Sequence, residues 1–287
     1  MKTLKIILML CSIQTLAFSQ LNPSATIYYL NPYLANPAYA GNQLGWQANL
    51  SYKAQWTAIP QAPSQQYLSC TYGTSRKIGL GLNLFRETYG VFDRTNIKLS
   101  YAYQLPLDDE ETFLDFGISG SVKNNSINYK KVIAEEGDQT LLNYNNRRWS
   151  ADGDAGLVVR NALYKFAVSI SDVRGYIRNQ TEPYADRPGL LMSVQGNFEN
   201  YNVVFTPLIM YSQVRNFRDI YHIGLQGNTD NGKFNAGVIY HSTKSITFSI
   251  GTQYMDRLGI SAFYTSGTST FKEYSNGEFE FALKLKW

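Results

Sequence analysis

The chain has 287 residues and carries a formal net charge of +4, from 26 Lys and Arg against 22 Asp and Glu. These charges are spread out and form no Lys/Arg-rich helix or arm, which argues against a nucleic-acid partner. After residue 20 no apolar run approaches the roughly 20 residues that a transmembrane helix needs. Yet 14% of the residues are aromatic, while the mean hydropathy is only -0.28. A β-barrel accommodates both values, because each strand carries an apolar row and an equally long polar row.

The N-terminus is typical of a secretory signal peptide. Lys2 and Lys5 precede an apolar run from Ile6 to Phe18, and Ala17-Phe18-Ser19 provides the small-x-small pattern of a cleavage site. We therefore predict a signal peptide at 1–19, cleaved near Ser19. Lipidation at Cys11 is disfavoured, because the bulky Leu10 precedes it and the apolar run is short there. The mature chain keeps only Cys70, so no internal disulfide is expected.

Residues 46–56 alternate completely between apolar and polar side chains. Trp46, Ala48, Leu50, Tyr52, Ala54 and Trp56 form the apolar row, and Gln47, Asn49, Ser51, Lys53 and Gln55 form the polar one. A helix would place Lys53 among the apolar residues, whereas in a strand successive side chains point to opposite faces. A lipid face and a lumen face would explain this pattern.

Applied to the whole chain, the same test predicts an all-β, transmembrane, outer-membrane antiparallel β-barrel. The barrel would comprise residues 46–287, preceded by an N-terminal periplasmic or plug segment at 20–45. About fourteen strands are predicted, at 46–56, 65–73, 78–86, 95–105, 112–123, 151–160, 163–171, 189–198, 202–211, 220–228, 233–241, 245–254, 258–265 and 279–287.

The predicted connections are sorted by length. Even-numbered connections are tight and odd-numbered ones are mostly longer, with Ser242 to Lys244 as the one short exception. Membrane barrels have short periplasmic turns and long external loops, so 124–150, 172–188 and 266–278 are expected to be surface loops. The last strand ends in Trp287, an aromatic residue of the kind that the outer-membrane insertion machinery recognises.

Several motifs near the N-terminus resemble the PorP/SprF family of type IX secretion membrane proteins of Bacteroidota. The first is Asn36-Pro37-Ala38-Tyr39-Ala40-Gly41, followed by Lys53-Ala54-Gln55-Trp56 and by Pro60-Gln61-Ala62-Pro63. A Gly-rich strand at 78–82 and Ser100-Tyr101-Ala102-Tyr103 complete the pattern. The likeness is specific over residues 27–123 and looser afterwards, and the Pro60–Pro63 turn lacks the glycine common before Ala-Pro.

The resemblance implies an outer-membrane barrel accessory to the type IX secretion system. Such a barrel supports export and surface anchoring of partner proteins, including gliding adhesins with a type B C-terminal domain. Further partners would be outer-membrane lipid, type IX core components and a peptidoglycan-binding periplasmic protein. The partner-binding residues expected from these motifs are Asn36, Pro37, Tyr39, Gly41, Gln55, Trp56 and Pro63. The segment from Asn36 to Gly41 is equally compatible with a simple turn beneath the barrel, a plug or a docking surface.

The remaining polar residues predict no catalytic site, cofactor or metal. His222 and His241 are expected to be polar lumen residues, because no third metal ligand has suitable spacing. Asp152 and Asp154 are expected to form lumen ion pairs with residues such as Arg160, Lys284 and Lys286. No serine lies in a Gly-x-Ser-x-Gly elbow, so an enzyme is not predicted. The alternative function is a solute-transport barrel, either a porin or a barrel like the fatty-acid channels.

Overall fold

The computed structural model describes residues 23–58, 60–75, 77–108, 112–128, 131–132, 144–145, 149–178, 189–214, 219–229, 232–267 and 276–287. The predicted signal peptide at 1–19 lies outside the described residues.

The described chain forms one closed antiparallel β-barrel, as predicted. Strands that follow one another in the chain pair with each other, except that β8 and β9 both pair with β10, and β1 also pairs with β15, which closes the ring. The strands are β1 (Gly45–Gln55), β2 (Ser64–Gly73), β3 (Ile78–Tyr89), β4 (Phe92–Pro106), β5 (Phe113–Ile127), β6 (Ser150–Arg160), β7 (Tyr164–Ser171), β8 (Gly189–Gly196), β9 (Phe198–Asn200), β10 (Val203–Val214), β11 (Ile220–Thr229), β12 (Phe234–His241), β13 (Ser245–Tyr254), β14 (Leu258–Thr265) and β15 (Glu278–Lys286).

The barrel has fourteen strand positions and one extra strand. The short strand β9 pairs with β10, which is also the partner of β8, so β9 prolongs β8 beyond Asn197. The predicted strand at 189–198 is therefore divided in two. Elsewhere the predicted bounds of β13 and β14 agree with the structure, and most others differ by one or two residues.

Polar residues fill the inside of this barrel and apolar residues cover the outside. Lys53 is 2% exposed and His222 is fully buried, whereas Ile250 and Phe281 are 67% and 61% exposed. This distribution is the reverse of that in a water-soluble protein, and it is the one that a barrel in a bilayer requires. Within the described ranges, no helix has the length and apolarity to cross a membrane.

The two ends of the barrel differ in their connections. We call the end where β2 leads to β3, β4 to β5, β6 to β7, β11 to β12 and β13 to β14 the short-turn end, and the opposite end the long-loop end. The sequence predicts one short hairpin at the long-loop end, at 242–244, and the described residues form a second one between β3 and β4. β3 and β4 extend beyond their predicted bounds and meet at Gly90 and Val91. Residues 86–88 and 93–95 are polar at every position, so the alternation that identifies membrane strands is missing there although backbone pairing continues.

Candidate functional site: the occupied lumen

The N-terminal segment from Pro23 to Gly41, which we call the plug, lies inside the barrel. Near its start, the Lys53 ammonium of β1 donates a hydrogen bond of 3.2 Å to the Pro23 carbonyl, towards the long-loop end. At its end, Gly41 lies against Tyr72 and Gly79, beside the short turn between β2 and β3. The plug thus runs along the barrel axis, and none of its residues carries a charged side chain.

Local sequence explains the path of the plug. It contains α1 (Thr26–Tyr29) and two 3-10 helices, Pro32–Leu34 and Pro37–Tyr39. Each 3-10 helix begins with a proline, whose fixed φ suits the first turn and whose missing N–H leaves no donor unpaired. The Asn36 side chain caps the second of these helices by accepting a 2.9 Å hydrogen bond from the Ala38 amide. The plug is therefore a succession of three short helical turns, with the extended Asn36 before the last of them.

The first half of the plug binds β15 and β11 through polar groups. Glu280 accepts a hydrogen bond from the Ser24 hydroxyl and another, of 2.6 Å, from the Ala25 amide. Four strands away around the ring, the Tyr28 hydroxyl lies 3.1 Å from Nδ1 of His222 on β11. Because Glu280 is almost fully buried, these bonds replace water that the carboxylate would otherwise keep.

His222 and His241 occupy directly paired positions on β11 and β12. Their Nδ1 atoms are 2.7 Å apart, and Nε2 of His241 lies 2.7 Å from the Thr247 hydroxyl. A short contact between two ring nitrogens requires one of them to be protonated and to donate a hydrogen bond to the other. Among the described residues, no group of three His, Cys, Asp or Glu side chains could hold a metal ion. The histidines thus contact the plug and one another as lumen residues.

Apolar contacts complete the first half. Ala25, Ile27 and Tyr28 form a buried cluster with side chains of β10, β12, β14 and β15, namely Leu208, Met210, Ile239, Phe263 and Ala282. These five residues lie on the lumen face. The barrel thus provides a small hydrophobic core for the plug, which adds to the polar bonds.

The second half of the plug fits against glycines of the wall. A Cβ atom built on Gly117 of β5 would lie 2.2 Å from the Ala38 nitrogen, and one on Gly81 of β3 would lie 2.4 Å from the Tyr33 hydroxyl. Both distances are too short for any side chain, so the plug occupies the space that glycine leaves free. Tyr33 also forms a 2.9 Å hydrogen bond with Ser100 of β4.

Tyr39 is buried beside the short-turn end. It packs in a cluster with Ala38, Ala102, Val158 and Ala167. Next to this cluster, the Gln104 side chain donates a 2.8 Å hydrogen bond to the carbonyl of Gly41 and accepts one of 3.2 Å from Arg160. The end of the plug is therefore fixed by both packing and hydrogen bonds.

The seven residues expected to bind partners lie in two separate places. Asn36, Pro37, Tyr39 and Gly41 are buried in the plug. The other three flank the β1–β2 connection at the long-loop end, where Gln55 donates to Glu278 at 3.3 Å and Trp56 and Pro63 are partly exposed. Partner binding by either group stays a prediction.

Residues of the wall that hold the plug, such as Glu280, Ser100 and Gln104, were not singled out from the sequence. Alternation places them on the lumen face but does not say what they contact. A signal was nevertheless present, because several glycines fall on the lumen row of central strands, where a bulky polar side chain would otherwise fill the pore. These are Gly79, Gly81, Gly117 and Gly156.

Asp152, Asp154 and Arg160 do form lumen ion pairs, but with other partners than the sequence predicted. Asp154 pairs with Lys98, and Asp152 lies 4.0 Å from Lys123. Arg160 instead binds Asp115 at 2.6 Å. The expected pairing with Lys284 and Lys286 is wrong, because Asp152 and Asp154 lie near the long-loop end of β6, whereas the two lysines lie at the short-turn end of β15.

Solved outer-membrane barrels have the same fold. The CymD monoaromatic hydrocarbon channel has a TM-score of 0.58 at 13% identity, covering 90% of this chain and 92% of that one. The toluene transporter TodX of P. putida has a TM-score of 0.54 at 10% identity, covering 90% and 94%. The outer membrane protein Omp33 of Acinetobacter baumannii has a TM-score of 0.50 at 8% identity, covering 86% and 100%. At such low identities the likeness shows the fold alone.

No curated protein matches the chain by sequence. Residues 17–285 match the model of a protein family that is described as type IX secretion system membrane protein PorP/SprF. Together with the barrel fold and its outer-membrane neighbours, this match supports a location in the outer membrane. The chain belongs to the PorP/SprF family of type IX secretion system membrane proteins.

Proposed function

We propose that this barrel supports export and surface anchoring of partner proteins, such as gliding adhesins with a type B C-terminal domain, by binding them rather than by conducting solutes. The observation that carries the proposal is the filled lumen. The plug makes hydrogen bonds with strands on both sides of the lumen, from β15 and β11 to β4. A protein that works as an open pore would have to remove this segment first.

We further propose that the short-turn end faces the periplasm and the long-loop end faces the outside, in keeping with the general rule for membrane barrels. Trp56 and Pro63 would then be available to a partner at the cell surface. Asn36, Pro37, Tyr39 and Gly41 would act by holding the plug, or would contact a partner once the plug is withdrawn. The periplasmic side would engage type IX core components or a peptidoglycan-binding protein.

Tyr39→Ala tests the role of the plug. Removing a buried aromatic side chain lowers stability by about 3–5 kcal/mol. Tyr39 lies at the end of the plug, away from the backbone hydrogen bonds that join the strands, so the loss should fall on the plug. We expect the variant to remain a folded, heat-modifiable barrel in the outer membrane while surface display of the partner adhesin falls severalfold. Gel shift measures the first quantity, and antibody labelling of whole cells measures the second.

Tyr201→Ala is the matched control, because Tyr201 also lies at the short-turn end but is 97% exposed. Its removal should change neither folding nor display. Normal display in a folded Tyr39→Ala variant would refute the plug's role in partner handling. Loss of the barrel itself would show instead that the plug is needed for folding.

A solute-transport barrel is the second candidate function. The fold likeness to CymD and TodX, whose names describe a hydrocarbon channel and a toluene transporter, favours it. The family match favours secretion, and the two functions differ in whether the lumen conducts.

A further inference from the structure

Charges in the lumen are sorted along the barrel axis. In the long-loop half, the cations of the wall lie beside carboxylates, and the Lys53 ammonium, for example, is 2.8 Å from Glu278. The other pairs in this half are Arg94 with Glu87, Lys98 with Asp154, and Lys123 with Asp172. Each of these four cations therefore has a carboxylate partner.

The short-turn half is different. Among the residues that the structure describes, its lumen-facing cations include Arg160, Lys165, Lys284 and Lys286, and Arg160 pairs with Asp115. Within the described part of the chain, Lys165, Lys284 and Lys286 form no ion pair. The plug supplies no countercharge, because it offers Lys284 only the carbonyl of Leu30, at 3.4 Å.

The three lysines come from opposite walls. Counting around the ring of fourteen, β7 lies seven steps from β15 through β1, so Lys165 faces Lys284 and Lys286 across the lumen. All three lysines nevertheless lie near the same end of the barrel, since Lys286 is in register with Gln47 of β1 and Lys165 with Arg160 of β6. Like charges gathered at one mouth of the lumen oppose the compact state, and an anionic ligand would offset their repulsion.

We propose that Lys165, Lys284 and Lys286 form a docking site, at the short-turn mouth of the lumen, for an acidic peptide segment of a partner protein. The plug occupies the lumen on the long-loop side of this site, so we expect a ligand to enter from the short-turn side. This inference deepens the proposed function and rests on it for one point, that the short-turn side faces the periplasm.

The chemistry of the site favours spaced carboxylates over a single phosphate. Bidentate arginine forks recognise phosphate best, but Arg160 is already engaged with Asp115 and Gln104. Lysines are point charges on flexible stems. Three of them on opposite walls suit several Asp or Glu side chains distributed along a peptide.

The test uses the purified full-length barrel in detergent and a fluorescein-labelled peptide of alternating Asp, Glu and Gly residues. Fluorescence anisotropy measures its binding, and a peptide with Asn and Gln in place of Asp and Glu measures the contribution of charge. The variant is Lys165→Gln/Lys286→Gln, which leaves Lys284 and its bond to the plug in place. The control, Lys131→Gln/Lys244→Asn, removes two exposed positive charges at the long-loop end. Asparagine is chosen at Lys244 because that residue has a φ of 65°.

We expect the acidic peptide to bind the natural barrel and the neutral peptide not to bind. The site variant should lose about tenfold or more in affinity, since each docked charge pair carries substantial coupling energy, and the control should stay within about twofold. Binding should also weaken as salt rises.

Three results would overturn the proposal. The first is no binding of the acidic peptide by a barrel that passes the gel-shift test for folding. The second is an equal loss in both variants, which would mean that net charge alone attracts the peptide. The third is binding of inorganic phosphate but not of peptide at these lysines. None of these results bears on surface display in cells, so failure here stays distinct from failure of the proposed function.

Discussion

The wall and the plug of this barrel are held by different kinds of contact. Strands of the wall are joined by backbone hydrogen bonds, including those that close the ring between Trp46 and Trp287, at 2.9 and 3.1 Å. The plug makes no strand pairing and depends on particular side chains, such as Glu280, and on the absence of a side chain at Gly117. The wall should therefore tolerate many substitutions that keep apolar residues outside and polar residues inside. The plug, in contrast, should be loosened by single substitutions at the residues that contact it.

The largest effect is expected from removal of the last strand. Deleting Phe279–Trp287 takes away the partner of both β1 and β14 and leaves two unpaired edges in the membrane. Unsatisfied backbone groups in lipid cost several kcal/mol each, so membrane integration should be abolished. Outer-membrane fractionation and heat modifiability measure this, and normal levels of the truncated barrel would contradict the account of the wall.

A single added side chain should displace the plug without opening the wall. In Gly117→Val the new Cβ would lie 2.2 Å from the Ala38 nitrogen, whereas a Cβ at Gly120, on the same strand, meets nothing within 4 Å. Overpacking of this kind costs about 1–3 kcal/mol or more. We expect Gly117→Val to make the plug sensitive to added protease while the barrel stays folded.

Gly120→Val is the control for that experiment and should behave like the natural protein. Equal protease resistance in the two variants would mean that the second half of the plug is not seated against β5.

A smaller effect is expected at Glu280. Glu280→Gln keeps the size of the side chain but weakens its bonds to Ser24 and the Ala25 amide, and hydrogen bonds to charged groups contribute about 1.5–3 kcal/mol. Lys53 retains Glu278 as its partner at 2.8 Å. The first half of the plug should therefore loosen, with a modest rise in protease cleavage near Pro23.

Glu199→Gln is the matched control, because Glu199 is an exposed residue of β9. A rise in cleavage of the same size in both variants would argue against a specific role of Glu280.

The same contrast explains what could be predicted from the sequence. The wall was predictable because lipid and lumen impose a period of two, which marks β13 at Ser245–Tyr254 and β14 at Leu258–Thr265 correctly. The tips of β3 and β4 lack that signal, because residues 86–88 and 93–95 are polar at every position. The position of a side chain along the barrel axis was harder to predict. Alternation put Asp152 and Lys286 on the lumen face but did not show that they lie at opposite ends.

The sequence showed where the plug lies in the chain, but it did not predict the conformation of the plug or its contacts with the wall. Its residues have neither a period of two nor a helical period, and the sequence left a turn, a plug and a docking surface open for Asn36–Gly41. What fixes the plug is long-range, such as the contact of Tyr28 with His222 and that of Tyr33 with Ser100. Such contacts depend on the register of strands far along the chain, which local patterns do not specify.

This barrel is filled by its own N-terminal segment, and we propose that it works by binding. Conductance of the purified protein in planar bilayers tests this proposal most directly, with Gly117→Val alongside. We predict that the natural barrel stays closed to ions and that Gly117→Val shows channel openings. Steady conductance through the natural barrel, unchanged in Gly117→Val, would contradict the claim and favour a solute-transport function.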